Sequence, residues 1–411
     1  MRRIAVLTVH SCPLAALGGK ETGGMNVYVR ELSRQMGRLG NQVDVFTRSQ
    51  NPHISTIAPL GRNARVVHIK AGPEEPVPKN DLFGFLPEFL SGVVRFAEEQ
   101  GRPFDVVHSH YWLSGCVGAK LKERWSLPLF NMFHTLGALK DEVLRGRPER
   151  EPKRRMLMER RIMGVADGLI APNPWEREQM ILQNAPPSKV RVIPCGVDLD
   201  LFRPIASFRA KKHLGLSQRD FILYVGRIDA VKDIDVLIRA FHALIQKPVR
   251  GGKELGLIIL GGEVGEEQGQ SREMRELRKM AVQMGLQDRV AFWGAQRQDL
   301  LPYFYSAAEA LVLPSRYESF GMVALEAMAC GTPVIASRVG GLQYTVEDGR
   351  SGLLFPEGDW RVLASCIREA VEDRVLRKKL FGGAQARARQ YGWARIARTV
   401  LSFYDDAGGA L

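Results

Sequence analysis

A chain of 411 residues, 45% hydrophobic and 25% charged, exceeds one ordinary core and is too apolar to stay unfolded, so two domains of roughly 200 residues each are expected. Residues 1–200 hold 28 basic against 21 acidic side chains and the rest 30 against 24; an excess spread so evenly argues against a nucleic-acid face and suits small anionic substrates. Five scattered cysteines without a Cys-x-x-Cys pair argue against a zinc site and indicate a reduced, cytoplasmic setting, and no apolar run approaches the ~18 residues of a transmembrane segment.

Taken in chain order, Ile4–Val9 reads as a buried strand, followed by a loop with Gly18, Gly19, Gly23 and Gly24 and an amphipathic helix over Asn26–Leu39. Strands are predicted at 43–47, 66–69, 106–108, 129–133, 168–171 and 190–193, with helical patterns between most of them. The rhythm restarts after Pro194–Asp198 and Phe202–Pro204. Strands at 221–225, 257–260, 290–293, 310–313 and 333–336 alternate with helices such as 235–244 and 273–284, and helical patterns at 359–372, 375–390 and 393–406 close the chain. Strands alternating with helices imply doubly wound parallel sheets. The fold class expected is therefore α/β, with two Rossmann-like domains meeting near 194–205.

Ligands of such sheets gather beyond the carboxyl ends of the strands, and the chemistry-bearing residues lie in those loops. Glu318 and Glu326 stand eight residues apart around a turn that opens a helix. Full helical geometry would separate their Cα atoms by about 12 Å, wider than the spacing of a glycosidase carboxylate pair. Two acceptors for sugar hydroxyls are the better reading, against the alternative of two ordinary acids on a surface helix. The amides of Ser319, Phe320 and Gly321 at the helix start suit a phosphorylated, hydroxyl-rich ligand. Arg227 and Lys232 follow the strand ending at Val225; a guanidinium and an ammonium together suit a diphosphate whose charge grows as a bond to it breaks.

Gly23-Gly24 is followed by Met25 and Asn26 and lacks the third glycine of a dinucleotide loop, so hydride chemistry is disfavoured. His134 beside Thr135 could hydrogen-bond a sugar hydroxyl, with His10, His108 and His110 at neighbouring strand ends. The densest charge, Lys140–Arg161 with nine basic and five acidic residues, is either a solvated, salt-bridged helix or a phosphate site. No Ser-His-Asp order, His-Glu-x-x-His motif or Walker loop is present.

Glu318-x7-Glu326, Gly226-Arg227 with Lys232, His134 and Gly23-Gly24 together resemble the retaining glycosyltransferases of family 4, which have the GT-B fold of two Rossmann-like domains facing a central cleft. The resemblance spans nearly the whole chain. Thr22–Val29, His108–Gly115 and His134–Leu136 are most similar to the D-inositol-3-phosphate glycosyltransferases; sucrose-phosphate synthases share a related loop, usually with Gln where this chain has Met25. The resemblance implies an acceptor-binding domain over 1–196, a donor-binding domain over 197–390 and a C-terminal helix, 391–411, packing back on the first. It implies that Arg227 and Lys232 hold the donor diphosphate, Glu326 the ribose and Glu318 the transferred sugar, with Ser319, Phe320, Gly321, Gly24 and His10 completing the donor site. His134 would contact the sugar near the reacting carbon, so that His134, Arg227, Lys232 and Glu318 form the catalytic set.

Asn26, Lys79, Tyr111, Thr135 and Arg155 are the implied acceptor set, and two cations with two hydroxyl donors are what a dianionic phosphate needs. The expected partners are a UDP-sugar, which is a co-substrate rather than a bound cofactor, and a phosphorylated polyol, with UDP-GlcNAc and inositol 3-phosphate leading. No metal-ligand motif is seen; Mg²⁺ is compatible with the reaction but required by no motif, and a homodimer is compatible with the fold. The alternatives are glucose transfer from UDP-glucose to fructose 6-phosphate, a lipid-linked acceptor, a UDP-sugar 2-epimerase and a non-catalytic sugar-nucleotide binder.

Overall fold

The computed structural model describes residues 1–16, 22–145, 150–217, 219–247, 254–262 and 271–408. Gly18 and Gly19 of the N-terminal loop and 146–149 of the basic run lie outside them. The chain divides into two compact units, one holding the first eight strands and the closing helix Trp393–Gly408, the other the last six strands.

In the first unit, β1 (Arg3–Leu7), β2 (Gln42–Arg48), β3 (Ile57–Gly61), β4 (Ala64–Ile69), β5 (Val106–His110), β6 (Leu129–Met132), β7 (Gly168–Ala171) and β8 (Val190–Val192) form one sheet in the order β3-β4-β2-β1-β5-β6-β7-β8. All pairings are parallel except β3 with β4. The inner strands are buried on both faces, as helices on both sides of a parallel sheet require. The sequence gives no sign of β3: this edge strand is mostly exposed and carries Pro59, so it has neither an apolar run nor a clean alternation. The closing helix lies on the other flank, with the Phe403 and Tyr404 rings 5.2 and 4.6 Å from Phe130. Gly168 permits this packing, since a Cβ there would stand 2.4 Å from the Phe130 ring and 2.9 Å from Phe403.

In the second unit, β9 (Asp220–Val225), β10 (Leu255–Leu260), β11 (Val290–Phe292), β12 (Ala310–Leu313), β13 (Val334–Ser337) and β14 (Gly352–Phe355) form an all-parallel sheet in the order β11-β10-β9-β12-β13-β14. Its core joins Ile222, Leu257 and Ile335 of the sheet to Leu237, Phe241, Leu363 and Ile367 of helices Ile234–Ile245 and Trp360–Glu372. β14 extends the sheet one strand beyond those read from the sequence. Strand order reverses between β1 and β5 in one sheet and between β9 and β12 in the other, and a crevice opens beyond the strand ends at each such point.

Candidate active site

In the second unit the loops after β9 and β12 flank the switch point. Gly226 N–H donates to the Leu260 carbonyl (3.0 Å) and the Tyr224 hydroxyl to that of Arg227 (2.8 Å), fixing the start of the first loop. Asp229 caps the turn Ala230–Lys232 by accepting from Val231 N–H. Lys232 Nζ then lies 2.5 Å from Glu318 Oε2, with both groups largely buried, while Arg227 stands more exposed and 3.3 Å from Asp229. Arg316 ties the loops a second time, through its side chain to Asp233 (2.8 Å) and its N–H to the Val231 carbonyl (2.8 Å). Asp233, with φ +51°, holds a backbone conformation costly for a non-glycine residue.

Helix Met322–Ala329 begins after Gly321, whose φ is +86°, a conformation glycine adopts without strain. Glu318 is therefore in the approach loop rather than the helix. Gly340 and Gly341 brace that loop from behind: Gly341 N–H donates to the Glu318 carbonyl (2.8 Å), and a Cβ on Gly341 would come within 2.1 Å of the Ser319 carbonyl oxygen. The Phe320 side chain is buried near Tyr391 and its carbonyl accepts from the Thr345 hydroxyl at 2.7 Å. Glu326 is buried, and the carboxylate accepts a 2.8 Å hydrogen bond from the Tyr305 hydroxyl. It is thus satisfied by a phenol on its own unit, a partner not legible in the sequence.

In the first unit, loops after β1, β5 and β6 bring His10, Tyr111 and His134 together. Tyr111 (φ +75°) and His134 (φ +61°) both hold left-handed backbone conformations, each costing on the order of 1–3 kcal/mol, and such strain gathers at functional sites. His10 and Tyr111 rings are 4.6 Å apart, the Arg155 guanidinium lies 4.6 Å from the Tyr111 ring, and Nη2 of Arg155 donates to the Thr135 carbonyl. Burial pushes His10 down to about 3, with help from the nearby charges of Lys79 and Arg155. Of the five predicted acceptor residues, Tyr111, Arg155 and the main chain of Thr135 thereby meet, and the charge of Lys79 is felt at His10. The fully buried Arg48 supports them by donating to the carbonyls of Pro73 and Glu75 in the Lys79 loop.

Three residues singled out in the sequence have surroundings it did not suggest. Asn26 is completely buried; its amide donates to the Cys12 carbonyl (2.8 Å) and accepts from Gly23 N–H (2.9 Å), so it fixes the loop that presents the exposed Gly24 at the start of helix Gly24–Arg38. His108 lies inside β5 and His110 is its last residue, and both are fully buried. His108 Nδ1 lies 2.6 Å from the Tyr404 hydroxyl, and His110 Nδ1 lies 3.0 Å from His134 Nε2, one proton being shared there. Burial holds His108 and His134 at about 3 and His110 well below the ordinary range, so all three are neutral at pH 7. Missed altogether in the sequence are Glu151 and Glu159, which flank Arg155 at 2.8 and 2.7 Å. The i, i+4 spacing of both acids about Arg155 was the available signal.

Paired Rossmann-like units, one presenting an ammonium–carboxylate pair and a helix mouth and the other a cation–hydroxyl–imidazole group, define a GT-B transferase of sugars. Residues 22–201 match the family described as Glycosyltransferase Family 4 and residues 207–387 that described as Glycosyl transferases group 1, and the chain belongs to this glycosyltransferase family. It is 41% identical to the D-inositol 3-phosphate glycosyltransferase of Actinosynnema mirum, with 99% of this chain and 98% of the relative covered. It is 39% identical to that of Saccharomonospora viridis, with 100% and 95% covered. Among solved structures, sucrose-phosphate synthase from Thermosynechococcus elongatus is 34% identical and superposes with a TM-score of 0.89 over 100% of both chains. HepE of Anabaena, solved with UDP and glucose, has the same fold at 21% identity, a TM-score of 0.78 and coverage of 99% and 100%. This membership decides against the epimerase and the non-catalytic binder. No helix among the described residues is long and apolar enough to cross a membrane.

Proposed function

We propose that this glycosyltransferase moves GlcNAc from UDP-GlcNAc to 1D-myo-inositol 3-phosphate in the cytoplasm, with retention at the anomeric carbon. The observation that carries the acceptor half is the convergence of Arg155, Tyr111, Thr135 and the charge of Lys79 around His10. Two cations and two hydroxyl donors recognise a phosphate dianion, and a neutral sugar has no use for them. On the donor side, Arg227 and Lys232 would balance the diphosphate, the amides of Ser319 to Gly321 would meet the sugar, and Glu318 and Glu326 would accept its hydroxyls and those of the ribose. Front-face attack fits this arrangement: the acceptor oxygen bonds to the anomeric carbon as the bond to UDP breaks, and the departing diphosphate takes the acceptor's proton. His134 would lie against the sugar, where a neutral imidazole can donate or accept one hydrogen bond without adding charge. No step is assigned to a metal.

A second reading, glucose transfer from UDP-glucose to fructose 6-phosphate, is favoured by the likeness to sucrose-phosphate synthase. Both readings share the phosphate requirement. A screen of UDP-sugars against phosphorylated and unphosphorylated polyols and sugars, following UDP formation, separates them. Turnover with UDP-GlcNAc and inositol 3-phosphate well above all other pairs is expected; preference for fructose 6-phosphate would replace the first reading with the second, and equal rates with unphosphorylated acceptors would remove both.

A further inference from the structure

We infer that Glu151 is an internal competitor for the acceptor's phosphate: it occupies Arg155 in the free enzyme, gives way to a dianion, and so sets the charge an acceptor must carry. This rests on the acceptor reading above. Arg155 is buried and has two carboxylate neighbours that are not equivalent. Glu159 is completely buried, stands one turn along the same helix (Lys153–Val165), accepts from Arg155 Nε at 2.7 Å and also receives the Gly137 N–H at 2.9 Å. It holds the guanidinium and the loop after His134 as one piece. Gly137 fits against that piece without a side chain, since a Cβ there would stand 2.9 Å from Arg155 Nε.

Glu151 precedes the helix and is held differently. Its Oε1 lies 2.7 Å from Lys140 Nζ and its Oε2 2.8 Å from Arg155 Nη1, so Arg155 is one of two cations that hold it. On leaving Arg155, Glu151 keeps its ion pair with Lys140, whereas Glu159 also carries the Gly137 N–H, so Glu151 is the carboxylate that can move at less cost. Two cations, Arg155 and Lys140, face two carboxylates, so the guanidinium offers an arriving phosphate little net charge beside that of Lys79 unless one acid withdraws. Withdrawal of Glu159 would release Gly137; withdrawal of Glu151 frees Nη1 alone. Burial raises the Glu151 carboxyl, but Arg155 and Lys140 outweigh it and leave it at about 2, so protonation does not open the site in ordinary buffers and only a competing anion does. A neutral hydroxyl cannot displace a carboxylate from a guanidinium; a dianion can.

The test measures inorganic phosphate binding by calorimetry and the KM of inositol 3-phosphate, for the full chain and its Glu151→Gln and Arg155→Ala variants. Glu151→Gln should bind phosphate about fivefold more tightly, the scale of an ion pair worth about 1 kcal/mol, and lower the KM by a similar factor, while reducing the preference for phosphate over the monoanionic sulfate ester. Unchanged or weaker phosphate binding in Glu151→Gln overturns the inference. Arg155→Ala separates this from the reading beneath it: if phosphate binding survives Arg155→Ala, the acceptor site itself is misassigned; if it is lost there but unmoved in Glu151→Gln, only the competitor role fails. Should Glu151→Gln lose its cooperative thermal melt, Glu151→Asp is read by the same criterion.

Discussion

Lys232 and Glu318, to which the proposed donor chemistry is assigned, make contact across 86 positions of sequence at 2.5 Å. In the free enzyme each neutralises the other in a largely buried setting, where an unpaired charge is costly. A sugar diphosphate brings its negative charge to Lys232 on binding and gains one more as its bond to the sugar breaks, so the ammonium matters most in the transition state. Lys232→Ala should lower kcat by ~10² or more, the scale for losing one charge-stabilising donor, with a smaller change in donor KM. Steady-state kinetics with the preferred donor check this, and a loss confined to KM would remove Lys232 from the reacting centre. Both residue types and their placement after strands were readable in the sequence, because charged residues in loops beyond buried strands stand out from an apolar background. Their mutual pairing was not, since contact over such a separation is decided by strand order, which local periodicity does not encode. The same limit hid the hydroxyl of Tyr305 on Glu326 and that of Tyr404 beside His108.

At the scale of elements, buried parallel strands were legible because they run apolar on both faces, as β9 and β10 do. β3 was not, since it is an edge with one buried position. The turn that opens helix Met322–Ala329 was legible in the sequence, while its support was hidden in two glycines farther along the chain. Gly341 has an ordinary φ of −74°, so its lack of a side chain is a matter of space: a Cβ would stand 2.1 Å from the Ser319 carbonyl oxygen and 2.7 Å from Phe320 Cα. Gly341→Ala must therefore push the Glu318–Gly321 loop off its position. The expected stability cost is about 1–3 kcal/mol for overpacking, and the donor KM should rise about tenfold or more through misplacement of the binding amides. Acceptor KM at saturating donor should hardly move. Urea melts with two-substrate kinetics test this, and an unchanged donor KM would mean that the loop is not shaped by its glycine brace.

For the molecule as a whole, the histidines buried in the first unit couple its stability to pH. His108 and His110 sit in β5 with no exposure, and burial holds the first at about 3 and the second well below the ordinary range. In the unfolded chain both return to about 6.5. At pH above that value neither state binds the protons and the pair contributes nothing to the slope. Below it the unfolded chain takes up protons that the folded one refuses, so stability present at neutral pH is lost as pH falls toward 3. These two groups give a slope of up to ~2.7 kcal/mol per pH unit, and His10 and His134, held at about 3 as well, add to it. Most carboxylates add to the slope only below about pH 5, which leaves a window from about pH 5 to 6.5 in which the histidines dominate. Denaturant unfolding at several pH values across that window should show stability dropping by a few kcal/mol, while His108→Gln, less stable at neutral pH because it disturbs the Tyr404 contact, should show a slope smaller by close to one proton. A slope identical in the two proteins would mean that His108 is protonated in the folded enzyme, and the neutral imidazoles behind His134 would then have to be abandoned.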